Sequence, residues 1–472
     1  MGSNRSAVVI VGAGVAGLSA ARRLLENSVE DVVVLEGSDR PGGRVYSRRL
    51  REEEGAARVE LGAQWIHGEK DNVVYEVARS LGFLPSDDSG SIEEREAIII
   101  DSEGEVVRDE GRLTQMMMII SSVEEEMEKF TVTELMKYEN LKDYYEARVK
   151  LQIEERGLKT DSEFERLFSR YLHWYGQLQG SINGWDWTET ASYQNSVYRE
   201  CEGDETTTIK PGLSYQQLIE QYAGSVLEKV KFNRLVTKIE LQETGVRVET
   251  SEGEQFLADY VIITLPLGVL KAEQSTLFEP PLPEWKQKAI RDMGFGANVK
   301  IFLIFETKIS EMVPDLRPAG FNFLRAGDGG GEKWSDGVFG LYPDQSDPFS
   351  LVAWLSGPQA RQVEELAEQE VLQEMTELVS RLLQPAFPLF RPPRSCLVTS
   401  WVSSPLSRGS YSFLSPTSPP DSPGLLGRPV GRGERERLLW AGEASHPQYF
   451  STVHGAMESG WREAERVTSF LQ

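Results

Sequence analysis

Gly12, Gly14 and Gly17 make a G-x-G-x-x-G run, directly after the apolar stretch AVVIV (7–11) and opening VAGLSAARRLLE (15–26). At this spacing the first glycine permits a tight strand-to-helix turn and the second lets a pyrophosphate approach the backbone. The third allows close helix–strand packing, and the helix N-terminus offers N–H groups to the phosphates. Glu36 ends DVVVL (31–35), where a carboxylate can accept from a ribose hydroxyl. Such glycines also occur in plain turns, but strand, helix and acid in this order point to a dinucleotide. Lys300 stands in VKIFLIFE (299–306), otherwise apolar apart from its closing acid, and an amine there is unexpected unless it reaches a polar cavity. The competing reading is a lysine on an edge strand.

These residues need elements to hold them. The run 7–11 reads as a buried parallel strand, 15–26 takes helical spacing, and 31–35 returns to a strand, which is one βαβ unit. From about 112 to 180 long Glu-, Met- and Leu-rich stretches read as helices of a second domain. Strand-like segments resume at 228–240, 245–250 and 260–264, and 299–306 reads as a buried strand. A loop over 326–334, one helix over 359–383, a segment at 397–401 and a Pro/Gly/Ser-rich loop over 414–434 follow. LLWAG and a terminal helix close the chain.

With 472 residues the chain outgrows a single hydrophobic core, so two domains are expected. The net charge is −24, from 74 acidic against 50 basic residues. That field repels nucleic acid and anionic membrane and draws in cations, although excess acid also serves solubility alone. Cys201 and Cys396 show no metal-ligand spacing and read as reduced structural thiols, and no metal site is expected. No secretory signal, membrane anchor or S-K-L-type ending is recognised, so the location expected is the cytosol.

Asp39-Arg40-Pro41-Gly42-Gly43-Arg44 resembles the second glycine signature of the flavin amine oxidases, a family that includes monoamine, L-amino acid and polyamine oxidases. Trp440 to Ala444 and Phe450 to Ala456 resemble its closing flavin motif, and Glu60 to Gly68 (ELGAQWIHG) is similar to the segment that animal polyamine oxidases carry beside the flavin. The resemblance spans the chain. It implies an α/β fold in which a Rossmann-like FAD-binding domain (1–85, 205–285, 395–472) is interleaved with an α+β substrate-binding domain. That second domain would have a helical part (86–204) and a sheet part (286–394).

The cofactor implied is FAD, bound non-covalently because no cysteine stands near Ser410. Its contacts would be Gly12, Gly14, Gly17, Glu36, Arg44 at the pyrophosphate, Val236 at the adenine, Trp401 beside the ring, Glu443 near the ribityl–phosphate region, and the Val453 backbone facing the ring. Lys300 matches the lysine that holds a water against flavin N5. His67 would line the substrate tunnel, where a histidine can bond a substrate nitrogen or take its proton; the competing reading is a histidine satisfied by backbone. Trp65, Gln179, Glu189, Leu406 and Thr452 fall on the substrate side. A family carboxylate aligns near Gln177 or Gln179, with Asp186 and Glu189 as substitutes.

The resemblance therefore implies oxidation of a C–N bond of spermine, spermidine or an acetylated polyamine by O2, yielding an aldehyde, a shorter amine and hydrogen peroxide. The partners implied are a small cationic substrate and O2, without nucleic acid or membrane, in a chain that can be monomeric. The alternatives are another flavin amine or L-amino-acid oxidase, and a FAD-binding scaffold with little activity. A histone demethylase is the weaker reading, because no accessory N-terminal domain or coiled-coil insertion is seen.

Overall fold

The N-terminal apolar run is the middle of a sheet. In the computed structural model, which describes residues 4–51, 58–85, 97–158, 161–313, 319–326, 333–432 and 435–472, it forms the strand Asn4–Val11. Val8, Val9 and Ile10 are fully buried and Val11 nearly so, each worth about 1.5–3 kcal/mol over an exposed side chain. The strand pairs in parallel with Val32–Leu35 on one side and Gln255–Ile263 on the other. Val230–Lys231 and Arg435–Trp440 extend this parallel core, and Val236–Gln242 and Gly245–Thr250 add an antiparallel hairpin. Val8 and Ile10 pack on one face with the helix Val15–Glu26 and the terminal helix Val453–Leu471; Val9 and Val11 pack on the other. Both faces are covered, which is what a run without polar alternation requires. The two helices touch so closely that a Cβ on Gly460 would lie 2.3 Å from Ala16 O.

A second sheet holds, in order, Ser395–Val398, Asn298–Ile304, Ser350–Ser356, Gly340–Pro343, Phe321–Leu324 and Ile98–Asp101. Strand alternation splits the second of these. Val299, Ile301 and Leu303 enter a core with the helices Gly357–Glu364 and Glu368–Leu382, whereas Asn298, Lys300 and Phe302 take the opposite face. Phe302 packs there with Val59 and Leu61, and half-buried Trp354 and Trp401 border that cluster. The remaining layer is helical: Glu110–Met127, Leu141–Glu155 and Ser162–Asn183. The last begins where Asp161 accepts from Phe164 N at 2.7 Å and ends at Gly184, whose φ of +81° suits glycine.

Four expected boundaries change. The stretch 228–240 is a 3-10 turn (Gly224–Lys229) and two strands, separated where Asn233 turns at φ +55°. The helix over 359–383 is two helices, broken after Glu364. The loop over 414–434 contains the helix Ser422–Gly427 and the strand Val430–Arg432. Ser395–Val398 pairs with Ile301–Ile304, so the second sheet takes in residues 395–398, at the start of the segment 395–472 expected in the FAD-binding domain. Most of the loop over 326–334 lies outside the described residues. Among the described residues no helix is long and apolar enough to cross a membrane.

Candidate active site

The three glycines of the first turn behave differently. Gly12 has φ +104°, and a Cβ there would meet Thr264 Oγ1 at 2.6 Å; a Cβ on Gly17 would lie 2.0 Å from Gly12 O. Both are held glycine by the chain's own packing. Gly14 has an ordinary φ of −71°, yet no atom lies within 4 Å of where its Cβ would stand. It borders open space, and Gly42 bridges to it from the second glycine pair. Glu36 flanks that space, accepting from Ala13 N at 2.7 Å and from Ser38 N and Oγ at 2.8 and 2.7 Å.

Arg44 follows that pair. Its Nη1 donates to Ser410 O at 2.6 Å and to Glu443 Oε1 at 2.8 Å. Glu443 is buried, and its Oε2 accepts from Ser412 Oγ and Ser451 N. A pocket lined by Arg44, Pro266, Leu267, Trp440, Gly442 and Glu443 opens beside the pair. Thr452 caps the terminal helix: its Oγ1 accepts from Gly455 N at 2.9 Å and its carbonyl from Ala456 N. Among the described residues no acceptor takes the N–H of Val453 or His454, so this helix start presents free donors.

Lys300 is interior. Strands flank it on both sides, which removes the edge-strand reading, and it is 6 % exposed. Its Nζ donates to Glu60 O and Gly62 O at 2.8 Å each and to Gln64 Oε1 at 2.6 Å. Trp354, opposite Lys300 in the antiparallel register, lies with its ring 4.7 Å from Nζ and stacks on Trp65 at 5.1 Å. Trp401 Nε1 donates to Leu61 O, and its ring would be 3.2 Å from a Cβ on Gly62. Burial pulls the Lys300 amine down to about 7, against the raising effect of Glu60 and Asp344. His67 meets the edge of Trp65 at 6.4 Å; burial lowers its pKa, opposed by a hydrogen bond to the Glu205 backbone. The rings of Trp354, Trp65 and Trp401, the Lys300 amine and the His67 imidazole thus cluster around the segment 60–67.

The family model described as flavin-containing amine oxidoreductase matches residues 15–468. The chain belongs to that family. The amine oxidoreductase is 30% identical to the human peroxisomal N(1)-acetyl-spermine/spermidine oxidase, over 98% of this chain and 94% of that one. It is likewise 30% identical to polyamine oxidase 1 of Oryza sativa subsp. japonica, over 99% and 98%. A lysine-specific histone demethylase 1 homolog 2 of Arabidopsis thaliana is 31% identical over 98% of this chain but 58% of its own length. A solved putrescine oxidase bound to putrescine superposes with a TM-score of 0.74 at 19% identity, covering 99% of this chain and all of that one. This likeness shows the fold: a Rossmann-like α/β domain interleaved with an α+β domain, the amine oxidase fold.

FAD is the cofactor of the family, and this amine oxidoreductase has residues that fit it. The open space at Gly14, the Glu36 carboxylate, the Arg44 guanidinium and the free N–H groups at Val453 would receive, in turn, phosphate, ribose, pyrophosphate and ring. Val236 starts its strand next to Leu235, and Arg234 N donates to Glu36 O, so this segment borders the Glu36 end.

Several substrate-side expectations need correction. Leu406 sits beside Gly37 and Leu235, close to Glu36, because the chain reverses between Trp401 and Gly409 with Gly409 N donating to Trp401 O. Glu189 is exposed, and Asp186, also exposed, spends Oδ1 on Thr188 N and Oγ1. Gln177 donates to Asp336 O, whereas buried Gln179 donates to Tyr175 Oη at 2.8 Å. Tyr175 in turn donates to Glu124. The carboxylate joined to Gln179 is therefore on another helix, and no motif in the sequence marked it. Trp354 and Gln64 were missed too: Gln64 stood unassigned inside ELGAQWIHG, and Trp354 is found only through the strand register.

Proposed function

We propose that this chain is a FAD-dependent polyamine oxidase. The observation that carries the reading is a buried lysine amine held by two backbone carbonyls and Gln64, with the Trp354 ring over it and Trp65 stacked on Trp354. The polyamine oxidases among its relatives support the substrate class. Bound FAD would supply the chemistry, taking a hydride equivalent from the carbon next to a nitrogen and passing electrons to O2.

The protein's own groups do the rest. A free aliphatic amine has a pKa near ~10.4, so the reacting nitrogen must lose its proton in the site. The tryptophan rings exclude water and disfavour the ammonium form. His67, kept neutral by burial, takes up that proton, and Lys300, balanced near neutrality, holds or yields one at Nζ. Remote ammonium groups of the substrate are met by carboxylates. Glu124 joins Gln179 through Tyr175; the Glu205 backbone hydrogen-bonds His67, and Glu200, beside Glu205, is raised by burial and by that neighbour.

Non-covalent flavin and a cytosolic location belong to the same proposal. Yellow supernatant after denaturation, and fractionation against peroxisomal markers, test them. The deciding experiment is anaerobic mixing of the purified protein with spermine, N1-acetylspermine, spermidine and L-leucine. Bleaching by one polyamine, reversed by air with peroxide formed, is the expected result. Bleaching only by L-leucine, or by none, removes the polyamine assignment.

A further inference from the structure

An ammonium group has three N–H donors, and that of Lys300 has all three engaged. Two acceptors are backbone carbonyls that cannot give way. Glu60 O belongs to the strand Arg58–Glu60, and Gly62 is packed so closely that a Cβ would lie 1.8 Å from Arg44 O. The third is a side-chain amide, Gln64 Oε1, at 2.6 Å. Gln64 is half-buried, and among the described residues its Nε2 donates to no protein acceptor. Its orientation is nonetheless settled, since only the oxygen can face an ammonium proton.

Two consequences follow. With the cage closed, Lys300 has no N–H left for any other molecule, so it donates outward only when Gln64 swings off. The cage also selects a protonation state. A neutral amine has two N–H groups and a lone pair, which in the closed cage would face an acceptor oxygen. We propose that Gln64 is a positioning residue for Lys300, holding the third N–H and thereby setting both the direction and the charge of the amine. This rests on the reading of Lys300 as a participant in the reaction.

The charged groups that face the amine are Glu60, from Arg58–Glu60, and Asp344, just after Gly340–Pro343, with the Arg51–Asp347 pair behind Asp344. The neighbouring strands contribute the uncharged Trp354 and Thr399. Among the described residues Gln64 is the one side chain that accepts from Nζ, so its substitution acts on the amine directly.

The test uses the FAD-loaded protein labelled with [ε-13C]lysine, the Lys300 signal being assigned by its loss in Lys300→Arg. Titrating that signal in wild type, Gln64→Met and Gln64→Glu should move its midpoint down in the first variant and up by about one pH unit or more in the second. The pH profile of flavin reoxidation by O2, followed by stopped flow, should move the same way. Unchanged midpoints in both variants overturn the proposal. If the midpoints move but neither the reoxidation profile nor the rate in Lys300→Met changes, the participation of Lys300 is lost and the hold of Gln64 on the amine stands.

Discussion

The contrast between Gly14 and Gly17 gives the sharpest test of the cofactor site, because one glycine serves the ligand and the other serves the fold. In Gly17→Ala the new methyl would stand 2.0 Å from Gly12 O, a backbone atom that moves only if the turn moves. Overpacking of this kind costs about 1–3 kcal/mol where side chains can shift, and more is expected here. In Gly14→Ala the methyl meets no protein atom within 4 Å and the backbone angles are ordinary. A gain of about 0.4–1 kcal/mol from a stiffer unfolded chain roughly offsets the weaker helix cap, so the stability of the FAD-free protein should stay within about 1 kcal/mol. The methyl does, however, fill space into which a phosphate would come. FAD at 100 times its Kd stabilises the wild type by about 2.7 kcal/mol, and a Kd weakened about 100-fold removes nearly all of that. Thermal unfolding of each variant, with and without added FAD, reads both effects, and flavin retained through gel filtration gives an independent check. A Gly14→Ala protein that keeps the full FAD-induced rise in Tm, or that loses as much stability without FAD as Gly17→Ala, would refute the reasoning.

Removing the guanidinium in Arg44→Met leaves Glu443 buried with serine donors alone; breaking a buried pair costs about 3–5 kcal/mol, and a quarter-exposed Arg44 reduces this to about 2–3. The urea midpoint should fall and be partly restored in Arg44→Met/Glu443→Gln. Lys300 is lowered on folding from 10.5 to about 7, so burying its charge penalises the fold fully below pH 7, and the penalty fades as pH rises towards 10.5. The stability of Lys300→Met relative to wild type should therefore be highest near pH 6–7 and decline steadily above it; a difference that is flat or rises with pH contradicts the assignment. Burial holds His454 down to about 3, so the unfolded chain binds a proton that the fold does not between about pH 6.5 and 3, and stability falls as pH drops through that window. His454→Gln should flatten this slope in acid unfolding followed by circular dichroism.

The glycine turn with its flanking strand and helix was legible in the sequence because it is set by local backbone. A turn that only glycine can make, an apolar strand without alternation and an acid at the next strand's end are each decided within a few residues of themselves. Lys300 stood out for a different reason: an amine in an apolar strand has to be accounted for, and the account was a polar cavity, where the structure has a cage of three acceptors. What the cage consists of was not legible. Two of its acceptors are backbone carbonyls, which no side-chain pattern reports, and Trp354 reaches the amine only because residues 298–304 pair with 350–356 in one of several possible registers.

The substrate side failed where counting along the chain was made to stand for direction in space. Five positions from Trp401 to Leu406 would fix a face on a strand or a helix. Here they cross a stretch of turns, closed by Ser407 Oγ donating to Trp401 O, and the side chain comes out beside Gly37 at the Glu36 end. Gln179 misled in the complementary way. The search for a carboxylate in its place went to sequence neighbours, Asp186 and Glu189, whereas helix packing brings Glu124 from some fifty residues earlier and joins it through Tyr175. A buried glutamine and a buried tyrosine both need partners, and the Tyr175 hydroxyl found an acid. Features set by local backbone can thus be read from spacing, while side-chain partners depend on which elements the fold brings together. This is why variants among the side chains around Lys300, and not at the glycine motifs, test the proposed substrate class.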